Sequence, residues 1–139
     1  MTHSKIASSW LALALGFAGS LLSASSAAAG FRFEFQWGDI PRCDDGYPNR
    51  VENPRFVLHG VPAGTGAIEF VLTDLDVPSY DHGGGRVLYH GETAVQRGAF
   101  TYQSPCPPDG VHTYEWTARA LGSGDTELGR AAARRPYPE

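Results

Sequence analysis

Phe31, Phe33 and Phe35 alternate with Arg32, Glu34 and Gln36, a period of two that predicts a strand with one buried face. Between Trp37 and Pro54 the chain accumulates Gly, Pro, Asp and Asn, and this stretch reads as a loop. Residues 56–58 and 67–73 are apolar runs separated by the turn residues Pro62, Gly64 and Gly66, and the second is apolar enough for an inner strand. Residues 86–89 and 99–102 are shorter strand candidates. Residues 111–121 form the longest, with no proline or glycine inside. Short strands divided by turn signals, with no period of 3.6 before Thr126, predict a mostly β domain with little helix, an antiparallel β-sandwich. The one helical hint is residues 126–135, with three alanines and little to bury, which reads as a frayed helix or a loose tail over residues 122–139. The pattern shows no internal repeat and no second domain.

The first 29 residues stand apart. Lys5 precedes an uncharged apolar run from Trp10 to Leu22, and Ala27, Ala28 and Ala29 supply the small residues that signal peptidase needs. The apolar run is shorter than the roughly 20 residues of a membrane span, so a cleaved export signal is expected over residues 1–29, and no stable anchor after cleavage. The working domain is then residues 30–139, periplasmic or secreted. Removing Lys5, the only lysine, leaves 11 − 1 = 10 Arg against 15 Asp plus Glu, a net charge of −5. Nucleic acid is not an expected partner, because a phosphate backbone needs a basic surface.

Cys43 and Cys106 are the only cysteines. In an oxidising compartment an even pair predicts a disulfide, and neither spacing nor neighbours form a metal-binding cysteine cluster.

Polar chemistry collects at three places. Asp74 and Asp76 stand two apart at the end of a strand, and Val77-Pro78 forces an extended exit from it. On the longest strand His112, Tyr114 and Trp116 share one face, while Thr113, Glu115 and Thr117 share the other. His82 is followed by three glycines, which either connect flexibly or let backbone N–H groups approach an anion. The proline-rich residues 104–108 ahead of His112 are stiff enough to fix a rim. Each feature also has a plain reading: turn chemistry for the aspartates, and a satisfied, half-buried residue for His112.

The order of Asn53-Pro54, residues 61–65, the block Phe70-Val-Leu-Thr-Asp-Leu-Asp-Val-Pro78 and the block Pro107-Pro-Asp-Gly-Val-His-Thr-Tyr-Glu-Trp116 resembles the phosphatidylethanolamine-binding protein (PEBP) family, also called Raf kinase inhibitor-like. The resemblance spans residues 53–121. It implies a β-sandwich with a small pocket that accepts anions such as phosphate or phosphoryl head groups. By position the pocket residues are Asp74, Asp76, Pro78, His82, Pro107, Pro108, His112 and Tyr114. Leu75 stands where the family usually has proline and Thr113 where it usually has arginine, and the usual His-Trp pair is replaced by His82 with glycines. His82 is therefore the loosest match.

The function expected is an exported binding module for a small anionic or phosphoryl-bearing ligand. An anion beside two carboxylates requires that one Asp be protonated or that a histidinium neutralise it, so binding should strengthen toward pH 5 to 6. The alternative is an interaction protein that inhibits a partner enzyme, with the pocket regulatory or vestigial. Catalysis is not expected: His-Gly-Gly-Gly occurs in some esterase oxyanion holes, but the Gly-x-Ser-x-Gly elbow is missing. Carboxylate and imidazole from Asp74, Asp76, His82 and His112 suit Zn or Mn, yet the resemblance implies neither metal nor cofactor.

Overall fold

The structure, a computed structural model, describes residues 30–139. The expected export signal lies outside the described residues. Nine strands run in the order β1 Arg32–Glu34, β2 Arg50–Glu52, β3 Phe56–His59, β4 Ala67–Asp74, β5 Gly84–Leu88, β6 Ala94–Val95, β7 Thr101–Gln103, β8 His112–Leu121 and β9 Glu127–Tyr137. They form a four-stranded sheet β5-β4-β8-β9, a three-stranded sheet β1-β3-β6 and the pair β2-β7, every pairing antiparallel. The only helical element among the described residues is a 3₁₀ turn, Ser123–Asp125. No helix there is long and apolar enough to cross a membrane.

Aromatic side chains join the layers into a sandwich. Phe56 of β3 stacks on Phe70 of β4 with ring centroids 4.3 Å apart, and Tyr102 of β7 meets Trp116 of β8 edge to face at 4.9 Å. Phe33 of β1 sits edge-on to both Phe56 and Phe70. The even-numbered residues of β8 from Tyr114 to Ala120 are buried, as the alternation predicts for a strand with one wet face. Asn53, fully buried, ties the strands' connections together. Its side-chain amide donates to the Gln96 carbonyl at 3.0 Å and accepts the Phe100 N–H at 2.9 Å.

Four sequence expectations need correction. Residues 126–135 are neither helix nor loose tail: β9 pairs with the full length of β8, with Trp116 opposite Ala133 and Ala118 opposite Ala131. Its inward residues are Gly129, Ala131, Ala133, Arg135 and Tyr137. Alanine favours helix intrinsically, but here small side chains fit beside Trp116 and the strand gains a ladder of backbone bonds, so context overrides propensity. Second, the loop of residues 37–54 contains β2, held by β7. Third, the two-residue strand β6 pairs with β3 and is too short to leave a periodicity. Fourth, Gly84 and Gly85 are neither connector nor anion nest. They lie in β5 opposite Val71 and Phe70, and a Cβ would meet the Phe70 carbonyl oxygen at residue 84 and the Phe100 ring at residue 85. The glycines are there because the backbone passes too close to its neighbours for any side chain.

Cys43 and Cys106 are joined by a disulfide that closes a separation of 63 residues. Beside it, Ser104 and Asn49 exchange two hydrogen bonds: Ser104 N–H donates to the Asn49 carbonyl at 2.8 Å, and Asn49 N–H donates to Ser104 Oγ at 3.0 Å. The loop before β2 is thereby clamped to the proline-rich segment before β8.

Candidate functional site

The register of the central pair sets the site. β4 ends where β8 begins, with Asp74 opposite Tyr114, so the last carboxylate of one strand faces the first imidazole of the other. His112 Nδ1 lies 2.7 Å from Asp74 Oδ2, and both side chains are largely buried, 13% and 6% exposed. Asp74 Oδ1 accepts the backbone N–H groups of Asp76 at 2.9 Å and Val77 at 3.2 Å. That is an Asx turn, and it reverses the chain as it leaves β4. Asp76, beyond the strand end, folds its carboxylate back to accept the Thr113 N–H at 2.8 Å. A ligating atom from each of Asp74, Asp76 and His112 lies within 4.8 Å of the others.

Burial alone would raise the Asp74 carboxyl. The hydrogen bonds from His112, from the Asp76 and Val77 backbone and the nearness of the Tyr114 hydroxyl outweigh it, and the carboxyl titrates below its ordinary range. Asp74 is therefore an anion at any pH near neutrality. Being ionised, it can only accept, which makes His112 Nδ1 the donor and leaves Nε2 as the nitrogen that can face a ligand.

Tyr114 is fully buried between the two histidines. Its ring is 6.3 Å from that of His112 and 5.5 Å, edge to face, from that of His82. Burial pushes its hydroxyl far above the ordinary phenol range, with the Asp74 charge adding to the effect, so it stays a neutral O–H. That hydroxyl lies near the Asp74 carboxylate and the Cys106 backbone, but among the described residues no group meets it in hydrogen-bonding geometry.

His82 does join the group, although the sequence departs most there. It is 3% exposed, its Nδ1 is 2.9 Å from the Gln103 carbonyl, and its ring meets Tyr80 at 4.6 Å. Burial lowers its pKa below the ordinary 6.5, against the opposing pull of the Gln103 carbonyl and the Asp74 charge. The carbonyl fixes Nδ1–H, so the neutral ring presents Nε2 as an acceptor. Pro78 and Pro108 are exposed and Pro107 is half-buried. Leu75, Val77, Tyr80 and Val111, none of them expected as site residues, are apolar side chains left 37 to 60% exposed next to the site residues in the chain. Nothing but their apolar character next to the acidic pair could have drawn attention to them.

A stability consequence follows from His82. In the unfolded chain it binds a proton as pH falls through about 6.5, whereas the folded state resists until lower pH. The unfolded state thus holds more protons in that window, and stability is full above it and declines as pH drops through it. Asp74 adds a second decline below its unfolded value of 3.8. Urea midpoints at pH 7.5 and 5.5 should differ less in His82→Gln than in wild type; equal differences would rule this assignment out.

The fold is a sandwich like that of the phosphatidylethanolamine-binding proteins. Two solved structures share it. A PEBP homologue from Chlamydia trachomatis, CT736, superposes with a TM-score of 0.58 at 19% identity, covering 79% of this chain and 98% of that one. YbcL of Escherichia coli, a member of the mammalian PEBP family, superposes with a TM-score of 0.57 at 16% identity, covering 78% and 98%. By sequence, no family profile and no curated protein matches the chain. The likeness is therefore one of fold.

Proposed function

We propose that the chain is an exported binding module whose site holds a small anionic or phosphoryl-bearing ligand between Tyr114 and His112. The observation that carries this is the largely buried Asp74–His112 pair, 2.7 Å apart, with the Tyr114 hydroxyl beside it. With Asp74 accepting at Nδ1, protonation of Nε2 creates a charge-assisted donor whose positive charge is balanced from behind. A phosphoryl oxygen would accept from Nε2–H and from the Tyr114 hydroxyl. Of the two ways to reconcile an anion with adjacent carboxylates, the histidinium is the one compatible with an Asp74 held in its charged form. Leu75, Val77, Tyr80 and Val111 offer an apolar rim for the part of the ligand next to its anionic group. Export is supported by the leader-like first 29 residues and by the disulfide.

Calorimetric titration of the mature chain with inorganic phosphate tests this. Binding is expected at pH 5.5 and several-fold weaker at 7.5. His112→Ala should weaken it at least tenfold at pH 5.5, and Tyr114→Phe by several-fold. Absence of binding at both pH values, or an unchanged affinity in His112→Ala, would overturn the reading. N-terminal sequencing of the protein recovered from the cell envelope tests export; a start at Met1 argues against it.

A further inference from the structure

A hollow of about 450 Å³ opens between the segment that follows β1 and the C-terminal part of β9. It borders a smaller cleft of about 310 Å³ that shares Glu34, Phe35 and Arg135 with it. Its size suits a small organic molecule. Phe35, Trp37, Pro54 and Val57 give it an apolar floor. Three guanidinium groups, Arg55, Arg97 and Arg135, line it against one carboxylate, Glu34. In a domain of net charge −5 a cluster of three guanidinium groups needs a specific reason.

We infer that this hollow is a second ligand site, for a small organic anion that combines a phosphate with an apolar or aromatic body. Arg135 is already held in place for it. Its Nε donates to the Phe35 carbonyl at 2.5 Å, and its guanidinium carbon lies 5.8 Å from the Phe35 ring centroid, a cation–π position that fixes the plane of the group. A guanidinium held at one edge presents its remaining N–H groups as the fork that matches a phosphate. The carboxylates now paired with these arginines are easily displaced. Glu52 pairs with Arg97 at 3.3 Å and Glu139 with Arg135 at 2.7 Å, all four side chains a third to more than half exposed. Exposed pairs of that kind contribute about 0 to 1 kcal/mol and yield to a better anion. Arg55 has no carboxylate partner among the described residues. The Trp37 indole N–H is committed to the Pro136 carbonyl at 2.8 Å, so its ring serves as a wall. The opposite side of that ring meets Tyr114 edge to face at 5.8 Å, which separates this hollow from the acid–imidazole site.

The experiment is a ¹H–¹⁵N NMR titration of the mature protein with phenyl phosphate, following the Trp37 indole N–H and the backbone amides of Thr113 and Tyr114. Wild type should show a saturable shift of the Trp37 indole. The Arg55→Ala/Arg97→Ala double variant, whose altered side chains are exposed, should keep a folded spectrum and bind at least tenfold more weakly at this reporter. His112→Ala should change that affinity less than twofold. Phenol, which lacks the anion, should produce no saturable shift. A Trp37 resonance that does not saturate, or an unchanged affinity in the double variant, overturns the second site. Loss in His112→Ala equal to that in the double variant assigns the ligand to the first site instead. Because the reporters differ, failure of either site leaves the other standing or falling by its own result.

Discussion

Replacing both cysteines, Cys43→Ala/Cys106→Ala, is expected to cost about 4 kcal/mol of stability, read as a large drop in the urea midpoint. The figure is the loop-closure entropy released in the unfolded chain when a closed loop of about 60 residues is opened. For a domain of this size that is a large fraction of the total, since folded domains are stable by only about 5 to 15 kcal/mol. The effect should extend to the site. Cys106 sits in the segment whose backbone neighbours the Tyr114 hydroxyl, and the Ser104–Asn49 clamp next to it depends on the two loops staying together. Phosphate affinity should therefore fall in the double variant even under conditions where it remains folded. A loss below about 1 kcal/mol would show that the clamp and the core hold the loop without the cross-link.

Phe56→Ala is expected to be comparably severe, about 3 to 5 kcal/mol. Phe56 is fully buried and is the hub of the aromatic core: it stacks on Phe70 and meets Trp116 at 5.2 Å and Phe33 at 5.6 Å. Truncation removes the transfer energy of the ring and leaves a void that rigid aromatic neighbours collapse into poorly. Phe56→Leu should recover more than half of the loss. Equal midpoints for Phe56→Ala and wild type would mean the two layers are not held together through this stack.

Much of this was written plainly in the chain. Alternation placed β1, apolar runs placed β3 and β4, a long stretch free of proline and glycine placed β8, and side-chain parity put His112, Tyr114 and Trp116 on one face, where the structure has them. The two aspartates were expected side by side from strand parity. They are close for a different reason: residue 76 lies past the strand and is turned back by the Asp74 carboxylate, a local hydrogen bond that periodicity does not encode. What escaped were features defined by partners far away in sequence. β9 reads as a frayed helix or tail until Trp116 demands small neighbours, and the glycines that open β5 read as a connector until Phe70 and Phe100 are placed against them. The arginine-lined hollow escaped for the same reason, since Arg55, Arg97 and Arg135 are brought together by packing alone.

The position of β9 bears on how the chain must be made. It covers the outer edge of β8, which carries Tyr114 and Trp116 and would otherwise offer ten residues of unpaired backbone to any passing strand. A product released early, at Gly122 for instance, would hold every residue of the acid–imidazole group and still be prone to stick to copies of itself. Synthesis has to reach β9 before the long edge of β8 is covered.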